Sequence, residues 1–129
     1  MQILRRAAVE THKGLCGDRF YGSQRPITLL DEYSLQKLCF DYQLPLQALD
    51  LRRNLLIRGS DARHLLGQTF WIGDVLFVGQ APCPPCARLH AGLSLYYQQP
   101  IKLNTWQGGI VLRPLSRGTL CVRDLLRLA

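Results

Sequence analysis

Short apolar runs that are separated by turn-forming residues make up most of this chain. The run TFWIGDVLFV, for example, divides into two apolar segments at Gly73 and Asp74, a pair that predicts a tight turn or bulge between strands. Two or three further strands are predicted in GGIVLRPLSRGTLCVRDLLRL, with turns at residues 116–118 and near Asp124. Over the whole chain this spacing predicts about five to seven strands.

Two segments have helical periodicity instead. In DEYSLQKLCFDY, apolar residues recur at i, i+3, i+4 and i+7, which predicts a helix over about residues 31–42 that Asp31 or Ser34 can cap. The segment ARLHAGLSLYYQ has similar spacing. Because the strands do not alternate regularly with helices, we expect a mainly β fold, a small and partly closed β-barrel decorated by short helices.

The composition is that of one folded domain. With 129 residues, 47% of them hydrophobic and 19% charged, the chain is long enough for one core, so a single domain over residues 1–129 is expected. No apolar run reaches the roughly 18 to 20 residues that span a bilayer, and the first ten residues lack a secretory signal pattern. A cytoplasmic location without membrane attachment is therefore expected.

The five cysteines are an odd number, which favours reduced thiols over a disulfide framework. Cys39 lies on the apolar face of the predicted helix, and Cys121 lies in a predicted strand. Both are interpreted as small buried hydrophobic residues.

The positive charge comes mainly from arginine. The formal charge is +7, and 13 of the 16 basic residues are arginines, since the only lysines are Lys13, Lys37 and Lys102. Arginine offers a planar set of donors that suits phosphate and carboxylate oxygens, so the bias suggests a small bound anion or an acidic partner surface. The arginines are dispersed and no nucleic-acid module is visible, which argues against nucleic-acid binding.

The segment GQAPCPPCARL, residues 79–89, is the clearest candidate for chemistry. A Cys-Pro-Pro-Cys turn between a strand and a helix is compatible with dithiol-disulfide exchange by Cys83 and Cys86, although the surrounding sequence lacks a βαβ unit. A zinc site would need further ligands, for which His64 and His90 are the candidates. In a third interpretation Cys86, held rigidly by two prolines, is a single working thiolate that carries sulfur or binds a soft metal. A structural role for both cysteines also stays open.

Several segments, in order, resemble the MOSC domain family, the C-terminal module of molybdenum cofactor sulfurases that also occurs as small stand-alone bacterial proteins. These segments are GLCGDRFYG, RPITLLDEYSLQKL, DLRRNLLIRG, LLGQTFWIGDVLFVGQAPCPPCARL and GGIVLRPLSRGTL. The resemblance implies a β-barrel-rich fold whose cleft handles the molybdenum cofactor (molybdopterin) or sulfur. Relatives include reductases of N-hydroxylated compounds.

The resemblance also implies roles for the cysteines. In the family the thiol of a Pro-Cys motif is proposed to carry sulfur as a persulfide or to ligate molybdenum, and Cys86 matches that thiol. Cys83 is an additional cysteine, either a resolving thiol or a neighbour. An enzyme of this kind would be sulfurtransferase-like or a molybdenum-dependent oxidoreductase. No pyridoxal-phosphate lysine motif is present, so a cysteine desulfurase or a molybdoenzyme would be the partner.

The arginine-rich segment before Gly59 is expected to bind the cofactor. If RRNLLIRG is one strand, alternation puts Arg52, Asn54 and Arg58 on one face, opposite to Arg53, and this face could hold a pterin phosphate across a cleft from Cys86. The loop residues Gly17, Asp18 and Arg19 would shape the mouth of the cleft, with Asp18 orienting an arginine.

The sequence departs from the family pattern in two places. Little chain precedes the GLCGD segment, which predicts a barrel that is incomplete or completed by a partner chain, a homo-oligomer included. Arg123 stands where the family usually has glycine, and this leaves the geometry of the last turn open. A non-catalytic binding module stays the alternative to sulfur or cofactor chemistry and to dithiol exchange.

Overall fold

A six-stranded sheet that curls into a half-barrel forms the centre of the fold. The computed structural model describes residues 5–47, 50–83, 87–101 and 108–129, without the side chains of residues 87 and 88. Its strands are β1 (Arg6–Glu10), β2 (Gly14–Leu15), β3 (Ile27–Asp31), β4 (Leu55–Ile57), β5 (Thr69–Ile72), β6 (Val75–Pro82), β7 (Ile110–Pro114), β8 (Gly118–Cys121) and β9 (Leu126–Leu128). Its helices are α1 (Glu32–Tyr42), α2 (Ala87–Tyr97) and a short 3-10 helix (Ala62–Leu65).

The strand order of the large sheet is β4-β3-β7-β6-β5-β9, and a smaller sheet has the order β2-β1-β8. The β3–β4 pair is parallel, whereas every other strand pair between the described residues is antiparallel. The expected mainly β, partly closed barrel with short helices is therefore confirmed.

Most elements lie where the periodicity predicts them. Helix α1 begins at Glu32, and Asp31 caps it by accepting a hydrogen bond from the backbone N–H of Ser34 at 2.8 Å. The turn at Gly73 joins β5 to β6, and three strands follow residue 109 as predicted. Three elements differ: β4 covers only Leu55–Ile57 of the predicted strand, and β1 and β2 were not predicted.

The large sheet separates two apolar clusters. The inner face of the half-barrel holds Ile27 and Leu29 of β3, together with Phe77 of β6 and Leu112 of β7. Leu30, the next residue along β3, packs instead with leucines of α1 and α2 on the outer face. Alternation along a strand explains this division, because successive side chains point to opposite faces of a sheet. Thr28 therefore shares the outer face with Leu30.

A bulge in β6 changes which residues face outward. Gly79 pairs with Leu112, but Ala81 pairs with Val111, so Gln80 is an extra residue. Val111 also pairs with Thr28, and paired residues share a face. Before the bulge, the odd-numbered residues of β6 therefore face the interior. After it, the odd-numbered residues, beginning with Ala81, face outward.

Gly79 itself is required by close packing at the bulge. A Cβ atom there would clash with the carbonyl oxygen of Leu65, which comes from the 3-10 helix on the inner side of the sheet. The backbones are held together by hydrogen bonds from Gly67 N to Gly79 O at 2.9 Å and from Gly79 N to Gln68 O at 3.0 Å. The position of the bulge is thus fixed from the interior of the half-barrel.

The cysteine predictions are partly wrong. Cys121 is exposed, because the preceding Leu120 occupies the inner cluster and alternation turns Cys121 outward. Cys39 is half-buried against the helix cluster, and its thiol lies 3.2 Å from the carbonyl oxygen of Leu46.

The last turn forms even though arginine replaces the usual glycine. Arg123 adopts a left-handed backbone conformation with φ 77°, and the Asp124 N–H donates to the carbonyl oxygen of Cys121 at 3.1 Å. The Asp124 carboxylate accepts in turn from the Cys121 N–H at 2.8 Å. The departure from the family pattern therefore leaves the turn in place. Among the described residues, no helix combines the length and apolar character that crossing a membrane requires.

Candidate functional site

A polar network lies on the outer face of the sheet, where β3 and β4 begin. The side-chain oxygen of Asn54 accepts from both the backbone N–H of Thr28, at 2.9 Å, and its hydroxyl group, at 3.1 Å. The Asn54 N–H donates back to the Thr28 hydroxyl at 3.1 Å. Thr28 is buried, so these bonds satisfy polar groups that would otherwise be costly to bury.

The same asparagine connects this network to the loop that precedes β3. Its amide nitrogen donates to one carboxylate oxygen of Asp18 at 3.3 Å, and the other oxygen accepts from the backbone N–H of Phe20 at 3.0 Å. The Asp18–Asn54 bond therefore joins the loop of residues 16–26 to the turn of residues 51–54. Both segments carry arginines: Arg19 and Arg25 on the loop, Arg52 and Arg53 on the turn.

The first cysteine of the Cys-Pro-Pro-Cys segment lies on the same face and contacts an arginine. Because of the bulge in β6, Cys83 faces outward like Ala81. Its N–H donates to Gly109 O at 2.9 Å. Its side chain has no exposed surface, and the guanidinium Nη2 of Arg25 donates to the sulfur at 2.7 Å. A charged donor of this type interacts more strongly with an anionic sulfur than with a neutral one.

The turn before β4 is tied to α2 through a half-buried tyrosine. The hydroxyl of Tyr97 donates to the Asp50 carboxylate at 3.0 Å, and the same oxygen accepts from the Gln47 N–H at 2.9 Å. Burial raises the pKa of Tyr97 to about 12, and the hydrogen bond to Asp50 acts in the same direction.

The predicted arginine face is divided in the structure. Arg52 is exposed in a turn with a left-handed backbone, φ 56°, so strand alternation does not extend back to it. Arg53 is half-buried, with its Nε inside the protein. Arg58 lies beyond the other end of β4, where its Nε forms an ion pair with Glu32 at 2.6 Å. Asn54 is therefore the one of the three predicted face residues that joins the network around Thr28.

The predicted loop residues lie before β3, and their role at the mouth of a cleft stays a prediction. Gly17 is exposed and has a positive φ of 84°, a conformation that favours glycine. Arg19 is exposed and stacks over the ring of Phe20, with its guanidinium carbon 4.7 Å from the ring centroid. Asp18 accepts hydrogen bonds from the Asn54 amide and the Phe20 N–H, and its predicted role of orienting an arginine stays a prediction.

Cys86 lies outside the described residues, so its predicted roles as sulfur acceptor and molybdenum ligand stay predictions. His64 is exposed on the 3-10 helix, and His90 is half-buried on α2. Within the described ranges, no three His, Cys, Asp or Glu side chains come together as a metal site.

Two residues of the site were missed by the sequence analysis, Arg25 and Thr28. Thr28 stands at the outward parity within the apolar run ITLL of β3, and a polar residue inside this run was an available signal. Arg25 contacts Cys83 across 58 positions of sequence, and local spacing carries no signal for such a contact.

Comparison with known proteins places the chain in a family. The MOSC domain matches residues 17–125. The crystal structure of YuaD from Bacillus subtilis has a TM-score of 0.83 and 15% identity, over 97% of this chain and 85% of YuaD. YiiM from Geobacillus stearothermophilus has a TM-score of 0.67 and 20% identity, over 81% of this chain and 54% of YiiM.

A second YiiM, from Escherichia coli, gives a similar result, with a TM-score of 0.68 and 19% identity over 100% of this chain and 64% of that protein. At these identities the likeness establishes the fold. No curated protein matches the sequence significantly. Since the family match covers residues 17–125, well over half of the chain, the chain belongs to the MOSC domain family.

Proposed function

We propose that this protein binds an anionic molybdenum cofactor or carries the sulfur destined for it, with the Cys86 thiol as sulfur acceptor or metal ligand. MOSC domains are associated with molybdenum cofactor binding and sulfur chemistry. The observation that supports the proposal most directly is the contact between the Arg25 guanidinium and the Cys83 sulfur. It puts a cationic donor on the segment that also contains Cys86.

The donors around Asn54 fit an anionic cofactor. The hydrogen bond between Asp18 and Asn54 joins two segments with four arginines, and guanidinium groups suit the oxygens of a phosphate. Arg25, Arg52 and Arg53 would hold the phosphate end, and Cys86 would offer a soft sulfur ligand to the metal. When bound, the cofactor supplies a redox-active metal centre. The residues of the chain contribute charge, orientation and the thiol.

In the sulfur-carrier form, the chemistry is a transfer between two thiols. The Cys86 thiolate attacks the terminal sulfur of a persulfide on a donor protein such as a cysteine desulfurase. The S–S bond of the donor breaks, the donor departs as a thiolate, and Cys86 becomes a persulfide. The step moves one neutral sulfur atom and needs no oxidant or reductant. Pro84 and Pro85, which fix their own φ angles, would limit the motion of the thiol.

Two measurements test the proposal on the full chain. The first is pterin and molybdenum analysis of protein purified from cells that make molybdopterin. The second is mass spectrometry after incubation with a cysteine desulfurase and cysteine, which detects a persulfide as one added sulfur. We expect cofactor retention or a persulfide in the wild type and in Cys83→Ser, and neither in Cys86→Ser. A wild-type protein that retains no cofactor and gains no sulfur would rule the proposal out.

The same variants separate the alternatives. Dithiol exchange predicts a reversible disulfide between Cys83 and Cys86 and loss of function in both serine variants. A non-catalytic binding module predicts that Cys86→Ser has no effect. The complete burial of Cys83 leaves it no surface for attack by an external thiol, which favours the single-thiol chemistry.

A further inference from the structure

The outer edge of β9 carries unpaired backbone groups. β9 is the last strand of the six-stranded sheet, and it pairs with β5 on one side only among the described residues. Ala129 N donates to Thr69 O at 3.1 Å, and Gly73 N donates to Leu125 O at 2.9 Å. In an antiparallel pair, inward and outward groups alternate along the strand. The N–H and C=O groups of Leu126 and Leu128 therefore point away from β5.

Large apolar side chains surround this edge. Leu125 is 80% exposed, Leu128 65% and Val122 63%. Native proteins usually protect a sheet edge with a charged residue, a proline or a covering segment, because an open edge is a template for another strand. Here the described residues around the outer edge of β9 offer two outward N–H groups and three exposed apolar side chains together, which favours an interaction surface.

The charge around the edge is positive. Arg127 lies on β9 over the ring of Trp71, and Arg123 occupies the preceding turn. Arg5 adjoins the patch, since its carbonyl oxygen accepts from Val122 N at 2.9 Å. Arg6, the next residue, is paired with Cys121 in the smaller sheet.

Two acids stand against these four arginines. One carboxylate oxygen of Asp124 accepts a hydrogen bond from the Cys121 N–H at 2.8 Å, and Asp74 is exposed in the β5–β6 turn. The rim of the edge therefore stays basic, in keeping with the +7 charge of the chain.

We propose that the outer edge of β9 binds an extended, acidic segment of a partner protein, which adds to the sheet as a seventh strand. Main-chain hydrogen bonds to Leu126 and Leu128 would give affinity, and apolar residues of the segment would cover Leu125 and Leu128. Acidic residues would face Arg123 and Arg127. A second copy of this chain fits less well, because it would bring the two sets of arginines together, and like charges in adjacent strands are destabilising.

The test uses the full-length chain as bait in a random twelve-residue peptide display selection. We expect the enriched peptides to alternate apolar and acidic residues and to bind in a saturable, salt-sensitive way. Leu128→Pro removes an outward N–H while leaving the hydrogen bonds to β5 in place, since edge strands tolerate proline with its nitrogen facing solvent. This variant should bind the same peptides at least about tenfold more weakly. Arg123→Glu with Arg127→Glu should weaken them at least as much.

A charge control on α1, Lys37→Glu, should leave peptide binding unchanged. Circular dichroism and thermal unfolding of each variant establish that the sheet is intact. The proposal is overturned if no peptide is enriched, if the enriched peptides are basic or have helical periodicity, or if a folded Leu128→Pro variant binds as well as the wild type. Concentration-dependent dimerisation that Leu128→Pro abolishes would also overturn it, in favour of a second copy.

Discussion

A polar residue flanks each end of β4, and the two residues lie in different environments. At its beginning, Asn54 is part-buried and makes hydrogen bonds to Thr28 and Asp18. Beyond its end, the Arg58 side chain is 85% exposed and forms an ion pair with Glu32. A buried polar group without a partner is costly, whereas water replaces the partner of an exposed charge at little cost. Substitution at the beginning of β4 should therefore lower the free energy of unfolding more than substitution beyond its end.

The largest effect is expected at Asn54. Asn54→Ala removes every partner that the side chain supplies and leaves the buried N–H of Thr28 unsatisfied, so the free energy of unfolding should fall by about 2–3 kcal/mol. Chemical denaturation followed by intrinsic fluorescence measures this change. Asp18→Ala is the matched control, because it removes the partner of the Asn54 amide nitrogen and leaves the acceptor for Thr28 in place; its cost should be smaller. Equal stability of Asn54→Ala and the wild type would contradict the comparison.

The next effect concerns the protection of Cys83 at the same end. Arg25→Ala removes the guanidinium from the buried sulfur, so local opening should expose the thiol, and its alkylation by iodoacetamide should become roughly tenfold faster. In a Cys86→Ser background, peptide mapping by mass spectrometry separates Cys83 from the exposed Cys16 and Cys121. Arg19→Ala, on the same loop but stacked on Phe20, should leave the rate unchanged. Unchanged Cys83 protection in Arg25→Ala would show that Arg25 does not cover this thiol.

A pH effect is expected where Asp50 holds the turn before β4 to α2. Because burial and the bond to Asp50 raise the pKa of Tyr97 to about 12, the unfolded chain releases this proton first. The stability that Tyr97 contributes is present below about pH 10 and is lost as the pH rises towards 12. Denaturation across this range should show a smaller loss for Tyr97→Phe than for the wild type. Asp50→Asn, which removes the charge and leaves the burial, should give an intermediate result, and parallel pH profiles for all three proteins would refute the assignment.

The smallest effect is expected at the other end of the strand. Arg58→Ala removes an exposed ion pair and should change the free energy of unfolding by less than about 0.5 kcal/mol. A double-mutant cycle with Glu32→Gln isolates the coupling between the two side chains. A coupling above about 1 kcal/mol would mean that the two ends of β4 are equally constrained.

The architecture could be predicted from the sequence to a larger extent than the site. Periodicity indicated α1, the β5–β6 pair and the three strands after residue 109, because each of these patterns is local. The arginine face was predicted on one continuous strand. In the structure Arg52 has a left-handed backbone and lies in the turn before β4, which begins only at Leu55. The contact between Arg25 and Cys83 joins the start of β3 to the end of β6, which have only β7 between them in the sheet, and local spacing does not encode this strand order.

The extra residue in β6 determines which face of the sheet a thiol occupies. If Gln80 paired with Val111 instead of bulging, the alternation along β6 would continue without interruption, and Cys83 would turn towards the interior of the half-barrel. The sulfur would then no longer contact the guanidinium of Arg25, although every residue of the site would still be present in the sequence. For this protein, a change that abolishes the bulge without shortening β6 would produce a different site from the same residues.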